Sequence, residues 1–156
     1  MVLDFNAYAA QGNEILDALA DDLKISVDKA GRVLRALLLA MRDHINVDES
    51  LQVIARLPMA IKLVYIDQWD PWHSFRRIHN LDEFISEMQK RDKTNSGYDL
   101  KNGKLARLAV AAVFRTLHAY IPAQEFMELI AALPRELKEF INHNLKKADL
   151  KNEASF

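Results

Sequence analysis

The chain has 156 residues, half of them hydrophobic and 28% charged, with a net charge of −1 and no cysteine. That balance belongs to a folded chain with a real core, and it excludes disulfide frameworks, thiolate metal sites and a cysteine nucleophile. The basic excess with which a dedicated nucleic-acid binder meets phosphates is missing.

The N-terminal MVLDFNAYAA carries no positively charged leader region. From Asp4 onward, Phe5, Tyr8, Gly12, Ile15, Leu16, Leu19 and Leu23 recur at helical spacing and predict a first helix. A second is predicted over about Asp28–His44, capped by Ser26 or Asp28, and a short third over about Asp48–Arg56. Pro58 follows. Proline lacks an N–H and disfavours helical geometry in the residue before it, so Leu57 marks a boundary and Pro58 starts a fourth helix.

After the irregular DQWDPWHSFRR, a fifth helix is predicted from Asn80, where NLDE fits a capping box, as far as about Lys90. The polar stretch Arg91–Gly103 is expected to be a mobile loop. A sixth helix is predicted over Gly103–Tyr120, capped by Asn102, a seventh over about Ala123–Ala132, and an eighth from Pro134. The apolar runs at Val33–Met41 and Leu108–Leu117 are broken by arginine and fall short of the roughly 18 residues of a membrane span. The expectation is a soluble, cytoplasmic protein with no membrane contact.

The second half echoes the first. Ala30–Lys62 aligns without a gap on Ala106–Lys138, 76 residues later, with nine identities in 33 positions, among them Leu57/Leu133 and Pro58/Pro134. This pattern predicts an internal duplication of a four-helix unit, with repeats at 4–79 and 80–156 in one all-α domain of about eight helices sharing a core.

VLRALLLAMRDHI, the Leu-Pro corner, LVYIDQWDP and the repeated second half resemble the bacterial family called domain of unknown function 2267. The resemblance covers nearly the whole chain. Its most specific element is Trp69-Asp70-Pro71 after an aromatic-rich helix. Gln68 stands where family members commonly have glycine, which implies a less sharply turned chain at that point. The resemblance implies an all-helical bacterial protein and brings no activity, cofactor or catalytic residue with it.

Chemical motifs are sparse. The four glycines, Gly12, Gly31, Gly97 and Gly103, form no phosphate-cradling loop. Asp70-x-x-His73 with nearby His79 is the best metal candidate, but a helical di-metal site needs Glu-x-x-His twice, and the aligned positions are Lys146 and Asp149. No metal or cofactor is expected. His73 is expected to be a surface side chain, and Trp72 and Phe75 to pack on the bundle. His44 and His143 are assigned to helix ends, where a cation is favoured, and His118 to the core boundary. WHSFRRIHN mixes aromatics with Arg76 and Arg77, a weak footprint for nucleic acid in a slightly acidic chain.

The sharpest contrast lies between the fourth and eighth helices. PRELKEFINHNL is amphipathic, with Leu137, Phe140, Ile141 and Leu145 inward. PMAIKLVYIDQW keeps an inward set (Ile61, Val64, Tyr65, Trp69) but turns the polar face apolar, Met59 standing for Arg135, Leu63 for Glu139 and Ile66 for Asn142. A helix apolar all round is normally buried on both sides, so the favoured expectation packs the Met59–Leu63–Ile66 stripe inside the fold; the alternative is an exposed interaction face. The functional expectation is a non-enzymatic interaction or scaffold protein, with a homodimer or protein partner. The alternative is a small-molecule binder or enzyme with a pocket between the halves near Trp69, Asp70, Trp72 and His73.

Overall fold

The computed structural model describes residues 3–92 and 98–154, with side chains as far as residue 149. Residues 93–97 of the expected polar loop lie outside the described residues. Among the described residues there are eight helices and no strand: α1 (Phe5–Leu23), α2 (Val27–Arg42), α3 (Val47–Arg56), α4 (Met59–Ile66), α5 (Leu81–Arg91), α6 (Gly103–Tyr120), α7 (Ala123–Ile130) and α8 (Arg135–Ala154). The starts of α5, α6, α7 and α8 each fall 76 residues after those of α1, α2, α3 and α4.

Local chemistry sets most of these boundaries. Asp4, Ser26, Asn46, Asn80 and Asn102 each place a side-chain oxygen on an otherwise unpaired N–H in the first turn. Ser26, not Asp28, caps α2. α3 starts earlier than Asp48 because Asn46 and Glu49 form a reciprocal capping box that the sequence reading passed over. At Asn80 the box is only half made: Asn80 accepts from the Glu83 N–H, but Glu83 accepts from the His79 N–H. Pro58 and Pro134 lie one residue outside α4 and α8, and their carbonyls accept the first helical bonds, from Lys62 and Lys138. α1 closes on Lys24 in the left-handed conformation, φ 56°, where Ile25 N–H reaches back to the Ala20 carbonyl.

All eight helices contribute to one buried apolar cluster, and the helices pack across the halves. α1 lies against α6, and α5 against α2; α4 packs on α1 and α2, as α8 packs on α5 and α6; α3 meets α7. Exchanging α1–α4 for α5–α8 maps these contacts onto themselves. One consequence is that neither half could bury its own apolar faces without the other. α1 approaches α4 closely at Gly12, where an added Cβ would lie 2.5 Å from the Ala60 Cβ. That gap is too small for any side chain, so glycine is required there.

Several expectations need correction. His143 stands in the interior of α8, which runs on to Ala154, and not near a helix end. His118 is exposed, edge-on to the Phe126 ring at 4.8 Å. Gln68 adopts φ 57°, the left-handed conformation, so the chain turns there as it would with glycine. The non-glycine side chain bears the strain instead of relaxing the turn.

Candidate functional site

Two regions remain after the core is accounted for. The first is the outer face of α4. Ile61 and Tyr65 are buried, whereas Met59, Leu63 and Ile66 are 43%, 64% and 41% exposed. The expectation that this stripe packs inside the fold is not met. α4 is two turns long and lies at the margin, held by α1, α2 and α3, so only one of its faces has a neighbour. Periodicity could show that both faces were apolar, but it could not show that the helix was peripheral.

The second region is the irregular segment 67–80, which joins the halves and is fastened by the C-terminal end of α2. The last carbonyls of a helix have no partner within it. Arg42, buried, supplies one: its Nη1 donates to the carbonyls of Tyr65 at 3.0 Å and Asp67 at 2.8 Å. A cation at this pole also complements the helix dipole. Asp43 accepts from Arg42 and receives Arg91 of α5 at 3.0 and 3.1 Å. His44 places Nδ1 2.6 Å from the Arg76 carbonyl oxygen. Its Nε2 is 3.2 Å from Glu87 Oε2, which is ion-pair range but out of line for a hydrogen bond.

Glu87 is the charged residue that the sequence reading missed. It is buried among Arg91 (2.9 Å), Lys90 (3.1 Å), His44 and, more distantly, Arg76 (3.6 Å). Burial pushes its carboxyl up, but Lys90 and His44 outweigh burial and hold it below the ordinary glutamate value. The available signal was a glutamate inside the apolar set Phe84, Ile85, Met88.

An open depression of about 490 Å³ lies over this cluster, with Trp69, Asp70, His73, Arg76 and Arg91 on its walls. The structure thus brings together three of the four residues singled out between 69 and 73. Trp72 is not among them: it is 84% exposed and not packed on the bundle, and Phe75 is also exposed. Asp70 Oδ1 accepts from the Trp72 N–H, so this carboxylate shapes the turn at Pro71. His73 is only partly exposed. Its Nδ1 lies 2.6 Å from the Asp70 carbonyl oxygen and its Nε2 3.4 Å from that of Asp43. Asp70 and His73 therefore do not converge on a shared point. Among the described residues, no three metal-ligating side chains come together. Arg77 forks onto Glu49 at 2.9 and 3.2 Å and lies over the Phe75 ring, so its charge is engaged within the chain.

One buried polar pair distinguishes the halves. Tyr65 and Ser50 are both buried and share a 2.8 Å hydrogen bond between hydroxyls. Burial pushes the Tyr65 phenol well up, with the Ser50 bond pulling the other way. At the positions 76 residues later stand buried Phe126 and Ile141.

The family described as "Uncharacterized conserved protein" (DUF2267) matches residues 12–140. The chain belongs to this family. The match spans α2 to α7 in full, most of α1 and the start of α8, and it includes both Leu-Pro corners and the 67–80 segment. Comparison with curated proteins gives no match. No described helix is long and apolar enough to cross a membrane.

Proposed function

We propose that the protein is a non-enzymatic helical interaction module, and that a second copy of the chain docks on the α4 stripe. The observation that carries this reading is the contrast in outer faces. α8 meets solvent at the corresponding positions with Arg135, Glu139 and Asn142, whereas α4 meets it with Met59, Leu63 and Ile66. The fold tolerates a polar face at that place, so the core does not demand the apolar one. In the same reading the chain is a duplicated four-helix unit, with repeats 4–79 and 80–156. The common 76-residue spacing of helix starts supports it.

Leu63→Glu tests the docking face. Because Leu63 is exposed, the change is expected to shift folding stability by no more than about 0.5 kcal/mol. Light scattering is expected to give twice the 17.9 kDa chain mass for the parent and the single chain mass for the variant, with equal helix content. A monomeric parent, or a variant of unchanged mass, contradicts the reading.

A second reading places a small-molecule ligand in the depression beside Trp69. It is favoured by the Trp69 indole nitrogen, which is enclosed without a hydrogen-bond acceptor among the described residues. A metabolite that raises the melting temperature of the parent but not of Trp69→Phe would support it. Equal shifts in both would exclude this site.

A further inference from the structure

Arg32 and Arg35 stand on α2 where α6 has Leu108 and Ala111, and the helices packed against the two differ as well. α1, which packs on α6, runs for 19 residues; α5, which packs on α2, stops after 11, at the counterpart of Ile15. The turns of α1 beyond Ile15 lie on α6. Their Asp22 accepts two hydrogen bonds from Arg115, the counterpart of Leu39, at 2.8 and 2.9 Å. α5 has no such turns, and a groove of about 460 Å³ opens between its end and residues 32–39 of α2. The groove shares only Arg91 with the depression beside Trp69.

We propose that this groove binds a small organic phosphate monoester. Among the described residues, its walls carry the cations of Arg32, Arg35, Lys90 and Arg91 against one carboxylate, Asp92. These cations differ in how they are held. Arg91 directs Nε and Nη2 to Asp43 and Nη1 to Glu87, so its guanidinium is fixed in place. Arg35 is the opposite case. Among the described residues it meets one carboxylate, Asp67, at 3.7 Å, too long for a hydrogen bond, and both side chains are half exposed. Its fork of donors is therefore open to an incoming anion. Lys90 gives one of its protons to Glu87 at 3.1 Å and has others to offer.

A guanidinium and an ammonium, brought from two helices to one groove, suit the several oxygens of a phosphate group. Ala36 and Leu39 give the groove an apolar side, which calls for an organic part beside the charge. The volume is that of a small-molecule site. A chain with a net charge of −1 offers no wider basic track for a nucleic acid.

Phenyl phosphate, which joins a monoester dianion to an apolar ring, is the probe. Titrated into ¹⁵N-labelled protein, it is expected to saturate and to shift the amide signals of residues 32–39 and 90–92, leaving those of Trp69 and His73 in place. Arg35→Gln and Lys90→Gln are each expected to weaken binding about tenfold, as the loss of one charge-assisted hydrogen bond would. Arg115→Gln, which removes a cation from the corresponding place in the other half, is expected to leave the affinity unchanged. Inorganic phosphate is expected to bind more weakly, because it leaves the apolar side uncovered. The proposal is overturned if millimolar probe gives no saturable shifts, or if the shifts centre elsewhere. Equal losses from Arg35→Gln and Arg115→Gln, or equal affinity for inorganic phosphate, overturn it too. So does a single-stranded oligonucleotide that displaces phenyl phosphate and shifts a wider surface, since the groove would then belong to a nucleic-acid face.

Discussion

α4 and α8 start after the same Leu-Pro corner and bury the same register, Ile61 and Tyr65 in one, Leu137 and Ile141 in the other. Beyond that register they diverge. α4 ends after 8 residues at a left-handed Gln68, and Arg42 binds its closing carbonyls; α8 runs for 20 residues. α4 presents apolar side chains outward and rests on a glycine; α8 presents charges, and the partner position on α5 holds buried Met88. The comparison separates what the core requires from what it merely permits. Inward volume is required in both halves. The exposed stripe, the early stop and the polar Ser50–Tyr65 pair belong to one half alone, and features that the core does not require are where function is to be sought.

Exchanging residues between the halves probes this division. The largest effect is expected at Gly12→Met, which introduces the residue of the second half where α1 and α4 nearly touch. A side chain there must push the helices apart, at a cost near the upper end of the overpacking range, about 3 kcal/mol, read as a drop in the denaturation midpoint. Ala60→Gly in the same chain is expected to recover part of the loss. If Gly12→Met is neutral, the close approach does not govern the packing of α4.

Ser50→Ala comes next. It leaves the Tyr65 hydroxyl buried without its partner, which costs about 1–2 kcal/mol. Tyr65→Phe in the Ser50→Ala background is expected to restore most of that, since removing both polar groups is nearly neutral, as in the second half where Phe126 and Ile141 stand. A double variant no more stable than Ser50→Ala alone would show that the pair does more than satisfy itself. The smallest effect is expected at Gln68→Gly, which relieves the positive φ and raises stability by roughly 0.5 kcal/mol in chemical denaturation. A loss of stability would mean that the Gln68 side chain contributes to the end of α4.

Local signals made the helices legible. Asn80 and Asn102, and Ser26 as one of two candidates with Asp28, could be picked out as caps because a side-chain oxygen beside an apolar periodic run has one local use. The two Leu-Pro corners followed from the missing N–H of proline. What remained hidden depends on chain distance. Arg91 meets Asp43 across 48 residues and His44 meets the Arg76 carbonyl across 32, and spacing along one sequence carries no record of either contact. Glu87 was overlooked because a charge among apolar positions is ordinarily assigned to solvent, and only the packing of α5 on α2 encloses it. For the Met59–Leu63–Ile66 stripe, composition was read correctly and position was not. An all-apolar helix implies a buried one only when the helix has neighbours on both sides.

The docking of a second copy on α4 can be tested with single thiols, because the natural chain has no cysteine. Leu63→Cys and its counterpart Glu139→Cys each place one thiol on an outer face, the first on α4 and the second on α8. Treated with a short bismaleimide at equal protein concentration, Leu63→Cys is expected to give a covalent dimer rapidly and in high yield, and Glu139→Cys only slowly. Equal rates for the two, at the level set by random collision, would contradict the assignment of α4 as the docking face.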